Sequence, residues 1–196
     1  MTFRDIIEYI GLSLRDPKAA AAWAVGLNWP MRARWDALLL VTVLAVFLVQ
    51  LTAIFEPVTL DVTIRSLHVN PMLALAVSQL VILASGALVI DRLGRMFGGQ
   101  GDLAGALAIV TWLQVILLAI NVVQIVLSLT VPFLAGLLSI VTFFLIFWLL
   151  ANFIAQLHRF KSLSGVFVGM FLGMLGLALL LSVLLGILGV RVSMGA

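Results

Sequence analysis

The sequence predicts an all-α, polytopic membrane protein with five transmembrane helices and an N-terminal cytoplasmic amphipathic helical tail. Residues 103–157 contain no Asp, Glu, Lys, Arg or His, although one crossing of a hydrocarbon core needs only about 20 apolar residues. The chain of 196 residues is 64% hydrophobic and 10% charged, whereas soluble domains carry about 25% charged residues. The apolar runs lack the alternation of barrel strands, so the predicted spanning elements are helices.

Residues 1–36 are predicted to form an interfacial tail of two short helices. Apolar residues recur at helical spacing with charged residues between them: Phe3, Ile6, Ile7, Ile10 and Leu14. Asp16-Pro17 fits an N-cap followed by the first residue of a second helix, and Trp23, Trp29 and Trp35 suit a membrane–water interface. The tail is either a platform for a partner or an anchor on the cytoplasmic leaflet. The anchor is favoured because basic charge and an apolar face account for it.

Residues 37–190 are predicted to form one five-span domain, followed by a short external tail at 191–196. The predicted spans run from Ala37 to Phe55, from Met72 to Ile90, from just after Asp102 to near Leu129, from Pro132 to about Gln156, and within residues 162–190. Thr130-Val131-Pro132 is the only plausible turn in the long uncharged stretch, so spans 3 and 4 are predicted to form a hairpin.

The distribution of Lys and Arg predicts the orientation. The N-terminal tail, the 2–3 loop and the 4–5 loop together hold nine of these residues, and the alternate segments hold two, Arg65 and Arg191. The positive-inside rule places the N-terminus in the cytoplasm, and five crossings then place the C-terminus outside. The predicted location is a bacterial cytoplasmic membrane. Because the charges are predicted to sit in loops rather than in a basic patch, no nucleic-acid partner is expected.

Residues suited to catalysis or metal binding are absent from the predicted spans, so neither catalytic residues nor a metal or cofactor is expected. No ionisable residue lies inside a predicted span, the chain has no cysteine, and no His-Glu-x-x-His or P-loop lysine motif is present. His68 and His158 fall on opposite sides of the membrane and cannot form one site in a monomer.

A glycine-rich segment precedes span 3. Gly99, Gly101 and Ala104 match a loose G-x-G-x-x-A pattern, but the pattern follows a membrane span and not a β-strand, so a dinucleotide site is not predicted. The segment containing Gly98, Gly99 and Gly101 is instead predicted to be a flexible cytoplasmic turn, with Asp102 as the N-cap of span 3.

Polar residues inside the spans form a candidate intramembrane cluster. Gln114, Asn121, Gln124 and Ser128 share one face of span 3 at 100° per residue, and Gln50, Gln79 and Gln114 fall at one depth. The cluster is either a polar pocket for a ligand or lipid headgroup, or a set of interhelical hydrogen bonds. Interhelical bonding is the favoured interpretation.

Span 5 carries Gly165, Gly169 and Gly173 at intervals of four residues. Small residues at this spacing allow helix backbones to approach closely. The partner of this face is either another span of the chain or a membrane-protein partner, including a second copy. The lipid bilayer itself is the other expected partner.

The chain resembles the Yip (Ypt-interacting protein) family in its short bacterial form. The residues that carry the resemblance are Arg15-Asp16-Pro17 in the tail, Arg95-Met96-Phe97-Gly98-Gly99-Gln100-Gly101-Asp102 before span 3, Trp112-Leu113-Gln114 within it, and Phe160-Lys161-Ser162-Leu163 before span 5. Eukaryotic members associate with prenylated small GTPases and carry an Asp-Leu-Tyr-Gly-Pro motif. That motif is missing here and Tyr9 is the only tyrosine, which argues against small-GTPase binding.

The resemblance implies a non-enzymatic membrane organiser or trafficking-related helper. Two other functions remain open from the sequence. A small permease or channel predicts a cavity lined by Gln50, Gln79, Gln114 and Asn121. An accessory subunit of a larger complex predicts a lipid-facing apolar groove filled by a partner helix.

Overall fold

The computed structural model describes residues 3–55 and 71–187, which form seven α-helices and include no β-strand. The helices are α1 (Phe3–Arg15), α2 (Pro17–Gly26), α3 (Met31–Phe55), α4 (Pro71–Met96), α5 (Leu103–Thr130), α6 (Pro132–His158) and α7 (Leu163–Ile187). This architecture confirms the predicted all-α fold class. The predicted 1–2 loop, with Arg65 and His68, and the tail with Arg191 lie outside the described residues.

Five of the described helices, α3 to α7, are long and apolar enough to cross a membrane. The predicted hairpin lies between α5 and α6, which are separated by Val131 alone. Pro132 begins α6, where its missing N–H costs no intrahelical hydrogen bond. The predicted caps are also present, because Asp16 accepts from the Ala19 N–H and Asp102 accepts from the Gly105 N–H.

The charged residues beside spans 1 and 2 lie on helices, and the prediction that they sit in loops is wrong. Arg34 and Asp36 lie within α3, and Asp91 and Arg95 lie within α4. The 26 residues of α4 extend about 39 Å at 1.5 Å per residue. That length approaches the 40–45 Å of a bilayer with its headgroups, so the helix ends pass through the polar interface.

Helix α5 is at the centre of the bundle and packs against α2, α3, α4 and α6, while α7 packs against α4 and α6. We call the end of the bundle near Val131 the hairpin end. The opposite end, where α2 packs against α5 and α6, is called the tail end. The start of α5 and the finish of α6 lie at the tail end and carry many of the fully buried side chains, including Leu107, Ile109 and Phe153.

Helix α1 directs its apolar residues to two different environments. Ile6, Tyr9 and Ile10 pack against the core of the bundle, whereas Ile7 and Leu14 are exposed. The sequence predicted a single apolar face lying on the leaflet. Of the described residues of that face, Ile6 and Ile10 therefore pack on the bundle, and Ile7 and Leu14 point away from it.

Candidate functional site

Glycines at the tail end enclose the imidazole of His158, which is 1% exposed. A methyl group on Gly94, Gly99 or Gly101 would overlap the ring or its Cβ; at Gly99 it would lie 2.5 Å from Nδ1. Gly94 lies on α4, and the other two lie between α4 and α5. These glycines and His158, which we call the glycine cage, join α4, α5 and α6 at one point.

Both ring nitrogens of His158 form hydrogen bonds to backbone groups. Nδ1 accepts from the Gly101 N–H at 3.1 Å, and Nε2 donates to the Ile90 carbonyl oxygen at 3.1 Å. Because a backbone N–H donates and a carbonyl accepts, this network assigns the proton of a neutral ring to Nε2. The His158 carbonyl also accepts from the Gln100 N–H at 3.3 Å, so the histidine anchors the turn through both its ring and its backbone.

The turn before α5 is where the sequence predicted it. Gly98 has φ of +80°, a backbone conformation that glycine adopts readily and residues with a side chain rarely adopt. Asp102 is the predicted N-cap, with its carboxylate 2.8 Å from the Gly105 nitrogen. The sequence did not predict that Gly99 and Gly101 contact His158, because a pattern of glycines does not identify the side chain packed against it.

The N-terminal tail is held against α5 by aromatic side chains. The rings of Tyr9 and Trp23 stack with centroids 3.7 Å apart, and Trp23 meets Trp112 edge to face at 4.9 Å. The Trp112 Nε1–H donates to the buried Ser13 Oγ at 2.9 Å, and Ser13 donates to the Tyr9 carbonyl. A buried indole that retains a hydrogen-bond partner avoids a desolvation cost. This arrangement joins α1, α2 and α5.

Arg34 joins the α2–α3 connection to α5. Its guanidinium donates to the carbonyl oxygens of Trp29 at 3.1 Å, Leu27 at 2.6 Å and Ala104 at 2.9 Å. The side chain is 8% exposed, so these bonds offset much of the cost of burying the charge. The sequence counted this arginine toward the orientation of the chain and not as a structural contact.

The polar residues predicted as an intramembrane cluster occupy different environments. Gln114 is buried, Gln50 and Gln79 are half-buried, and Asn121 is exposed. Within residues 3–55 and 71–187, no hydrogen bond joins Gln50, Gln79 and Gln114. Gln124 bonds instead to α6, where its amide donates to the Ala135 carbonyl and to Ser139 Oγ, both at 2.9 Å. The common glutamine layer stays a prediction.

The three glycines predicted to pack span 5 also divide into two groups. A Cβ on Gly173 would lie 3.0 Å from Leu93 Cδ1 and 3.1 Å from Val89 Cγ1, so α4 packs closely there. A Cβ on Gly165 or Gly169 would meet nothing within 4 Å. All three glycines line a large apolar groove between α4 and α7, and of the three only Gly173 has α4 side chains close to it.

The groove between α4 and α7 has a volume of about 680 Å³ and is partly open to the surroundings. Its floor is formed by apolar residues of α5 and α6, such as Leu113 and Phe147. A smaller cavity of about 230 Å³ lies among α1, α2, α3 and α5 beside Arg34 and Trp112. Neither cavity is lined by Gln50, Gln79, Gln114 or Asn121.

Metal-ligating side chains are not grouped in the part of the chain that is described. Residues 3–55 and 71–187 contain no set of three or more His, Asp or Glu side chains placed to hold a metal ion. Asp91 instead forms ion pairs with Arg92 and Arg95 on its own helix.

Comparison with protein families identifies one domain over most of the chain. The model of the Yip1 domain matches residues 12–190, which includes α2 to α7 and the glycine cage. No curated protein and no solved structure gave a match. The matched region begins within α1, so it includes most of the contacts that join the N-terminal tail to α5.

Proposed function

The chain belongs to the Yip1-domain family of integral membrane proteins, and from this premise we propose that it is a non-enzymatic helper that organises other membrane components. We further propose that it resides in a bacterial cytoplasmic membrane, with the N-terminus in the cytoplasm and the C-terminus outside. Its contribution to traffic or organisation would be to hold a hydrophobic component beside the bundle.

The observation that supports this role is the groove between α4 and α7. Its lining is almost entirely apolar, and it lies between two helices long enough to span a membrane. Hydrophobic ligands and helices are recognised by concave apolar surfaces with a few polar groups. An apolar groove of this kind can bind a hydrophobic membrane component, whereas a polar solute would find few groups to bind along it.

The permease alternative predicts a cavity lined by the intramembrane glutamines. The two cavities described above contain none of Gln50, Gln79, Gln114 and Asn121 in their linings. The accessory-subunit alternative predicts that a partner helix occupies the groove, and crosslinking distinguishes that occupant from a lipid.

The absence of cysteine from the sequence makes site-specific crosslinking a direct test. Met174 lines the groove, and Leu180 is exposed on the same helix but is not part of the groove lining. The variants Met174→Cys and Leu180→Cys would each be labelled with a thiol-linked photoreactive group in native membranes. We expect a discrete crosslinked component from position 174 and only diffuse lipid labelling from position 180.

The crosslinked component is identified by mass spectrometry after purification in mild detergent. A discrete lipid, a partner protein or a second copy of the chain at position 174 would each support the helper role and specify what is held. Indistinguishable diffuse labelling at both positions would contradict it, because the groove would then be ordinary lipid-facing surface.

A further inference from the structure

The lining of the groove between α4 and α7 changes from apolar to polar at one end. Its polar lining residues are Lys161 and Ser162, and both immediately precede α7. The rest of the lining is hydrophobic side chains and glycine, with Val89 and Met170 as examples. A ligand that matches this surface has one polar end and a long apolar body.

The charge at the polar end of the groove is positive. Lys161 is exposed and forms no ion pair with any described residue. The carboxylate of Asp91 on α4 pairs through one of its oxygens with Arg92 and Arg95 and does not line the groove. Helix α7 begins two residues after Lys161, so its N-terminal amides add positive potential at the same end. An anionic group therefore complements this end of the groove.

The length of the groove matches one leaflet of a bilayer. Its lining extends along α7 to Leu177, which is about 21 Å from the start of the helix at 1.5 Å per residue. Half of a hydrocarbon core is about 15 Å thick. An extended acyl chain whose headgroup lies at Lys161 would remain inside the groove to the bilayer midplane.

Two glycines of α7 leave space in the groove. Gly165 and Gly169 widen the groove, since no atom lies within 4 Å of a Cβ built at either position. Acyl chains are narrow and flexible enough to enter this space, and the positive charge of Lys161 at one end of the groove favours a lipid with an anionic headgroup over an apolar helix.

We infer that the groove between α4 and α7 binds a phospholipid with a net negative headgroup, whose acyl chains lie in the groove and whose phosphate contacts Lys161. Basic pockets between transmembrane helices bind anionic headgroups in this way. The inference rests on the proposed helper function and specifies which membrane component is held.

Native mass spectrometry of the purified full-length chain tests the inference. The protein in detergent is titrated with phosphatidylglycerol or with phosphatidylcholine carrying the same acyl chains. We expect phosphatidylglycerol to bind about fivefold more tightly, as one lysine near an anionic group predicts. Inorganic phosphate at millimolar concentration should not displace the lipid, because the acyl chains contribute most of the binding. Displacement by phosphate, or equal binding of the two lipids, would overturn the inference.

Two variants separate the headgroup contact from the groove. Lys161→Gln should remove most of the preference for phosphatidylglycerol while binding of phosphatidylcholine is unchanged. Gly169→Leu should weaken both lipids by about tenfold or more, because the new side chain occupies space for several acyl carbons. Gly176→Leu is the matched control, since Gly176 lies on the same helix in open space and outside the groove lining. Thermal unfolding of each variant confirms that it is folded.

The possible failures of the two proposals are distinguishable. Wild-type lipid affinity in folded Gly169→Leu would overturn the lipid inference, because the lipid would then bind elsewhere. A discrete partner protein or second copy crosslinked at position 174 would also overturn it, while the helper function would stand. Diffuse labelling at both crosslinking positions, together with no lipid preference, would overturn both.

Discussion

The tail end and the hairpin end of the bundle differ in how closely their side chains are packed. At the tail end, Phe153 and His158 are at most 1% exposed, and every ring nitrogen of His158 is bonded. At the hairpin end, Phe133 is 75% exposed and Leu129 is 55% exposed. Leaving an apolar side chain exposed to lipid costs little free energy, because lipid tails are as apolar as leucine.

The difference shows where specific packing is required. The tail end buries charged and polar side chains, namely those of Arg34, Asp91 and His158, and buried polar groups need protein partners. Backbone groups supply those partners for Arg34 and His158. The hairpin end needs only the single residue Val131 between α5 and α6. Substitutions of similar chemistry should therefore be costly at the tail end and mild at the hairpin end.

The largest expected contrast is between two aromatic truncations. Trp112→Ala removes a 5% exposed ring, its contact with Trp23 and its hydrogen bond to Ser13. Truncating a buried aromatic residue typically costs about 3–5 kcal/mol. Phe133→Ala at the exposed hairpin end should change stability by less than about 0.5 kcal/mol. Denaturant unfolding of both variants in the same detergent measures the difference.

The same pair of variants distinguishes tail docking from general stability. Trp112→Ala should also expose the tail to protease near Arg15, because Ser13 and Trp23 lose their contacts with the Trp112 ring on α5. Phe133→Ala should leave the cleavage rate unchanged. Equal losses of stability in the two variants would mean that the tail end is not the better-packed end.

The next contrast adds one methyl group to a glycine at each end. Gly94→Ala places a carbon into the His158 ring, whereas Gly136→Ala meets nothing within 4 Å. Overpacking costs about 1–3 kcal/mol, and alanine in an unobstructed helix is favoured over glycine by up to about 1 kcal/mol. We expect thermal unfolding at lower temperature for Gly94→Ala and unchanged or raised stability for Gly136→Ala. If Gly94→Ala were as stable as the wild type, the glycine cage would have space for a methyl group beside the His158 ring.

The sequence was sufficient to predict the helical framework. Runs of apolar residues have a required length in a membrane, so five spans and the hairpin at Val131 followed from counting. Asp16 and Asp102 were identified as caps because capping depends on local spacing alone. The helix ends were predicted less accurately. Helix α3 begins before its charged residues and α4 ends after its own, because charged residues can be helical at a polar interface.

The candidate sites could be predicted less well from the sequence, because they depend on contacts between residues far apart along the chain. Trp112 and Ser13 are 99 positions apart, and no periodicity links them. The spacing of Gly165, Gly169 and Gly173 was visible, but spacing alone does not tell which of these glycines has α4 side chains close to it. That Lys161 lies at one end of the groove could likewise be learned only from how α4 packs against α7.

The smallest contrast concerns the polar contact near the hairpin end. Gln124 donates to Ala135 and Ser139 across the α5–α6 interface, while Asn121 is exposed and its side chain forms no hydrogen bond among the described residues. Interhelical hydrogen bonds in membranes contribute about 0.6 kcal/mol on average and about 1.7 kcal/mol at most. Gln124→Leu should therefore lower stability by an amount in that range, whereas Asn121→Leu should have no measurable cost. Ser139 keeps its own bond to the Ala135 carbonyl at 3.1 Å, which limits the loss in Gln124→Leu. Unfolding in mixed micelles measures both variants, and an equal loss in each would mean that Gln124 contributes no bond beyond a general preference for polar residues on α5.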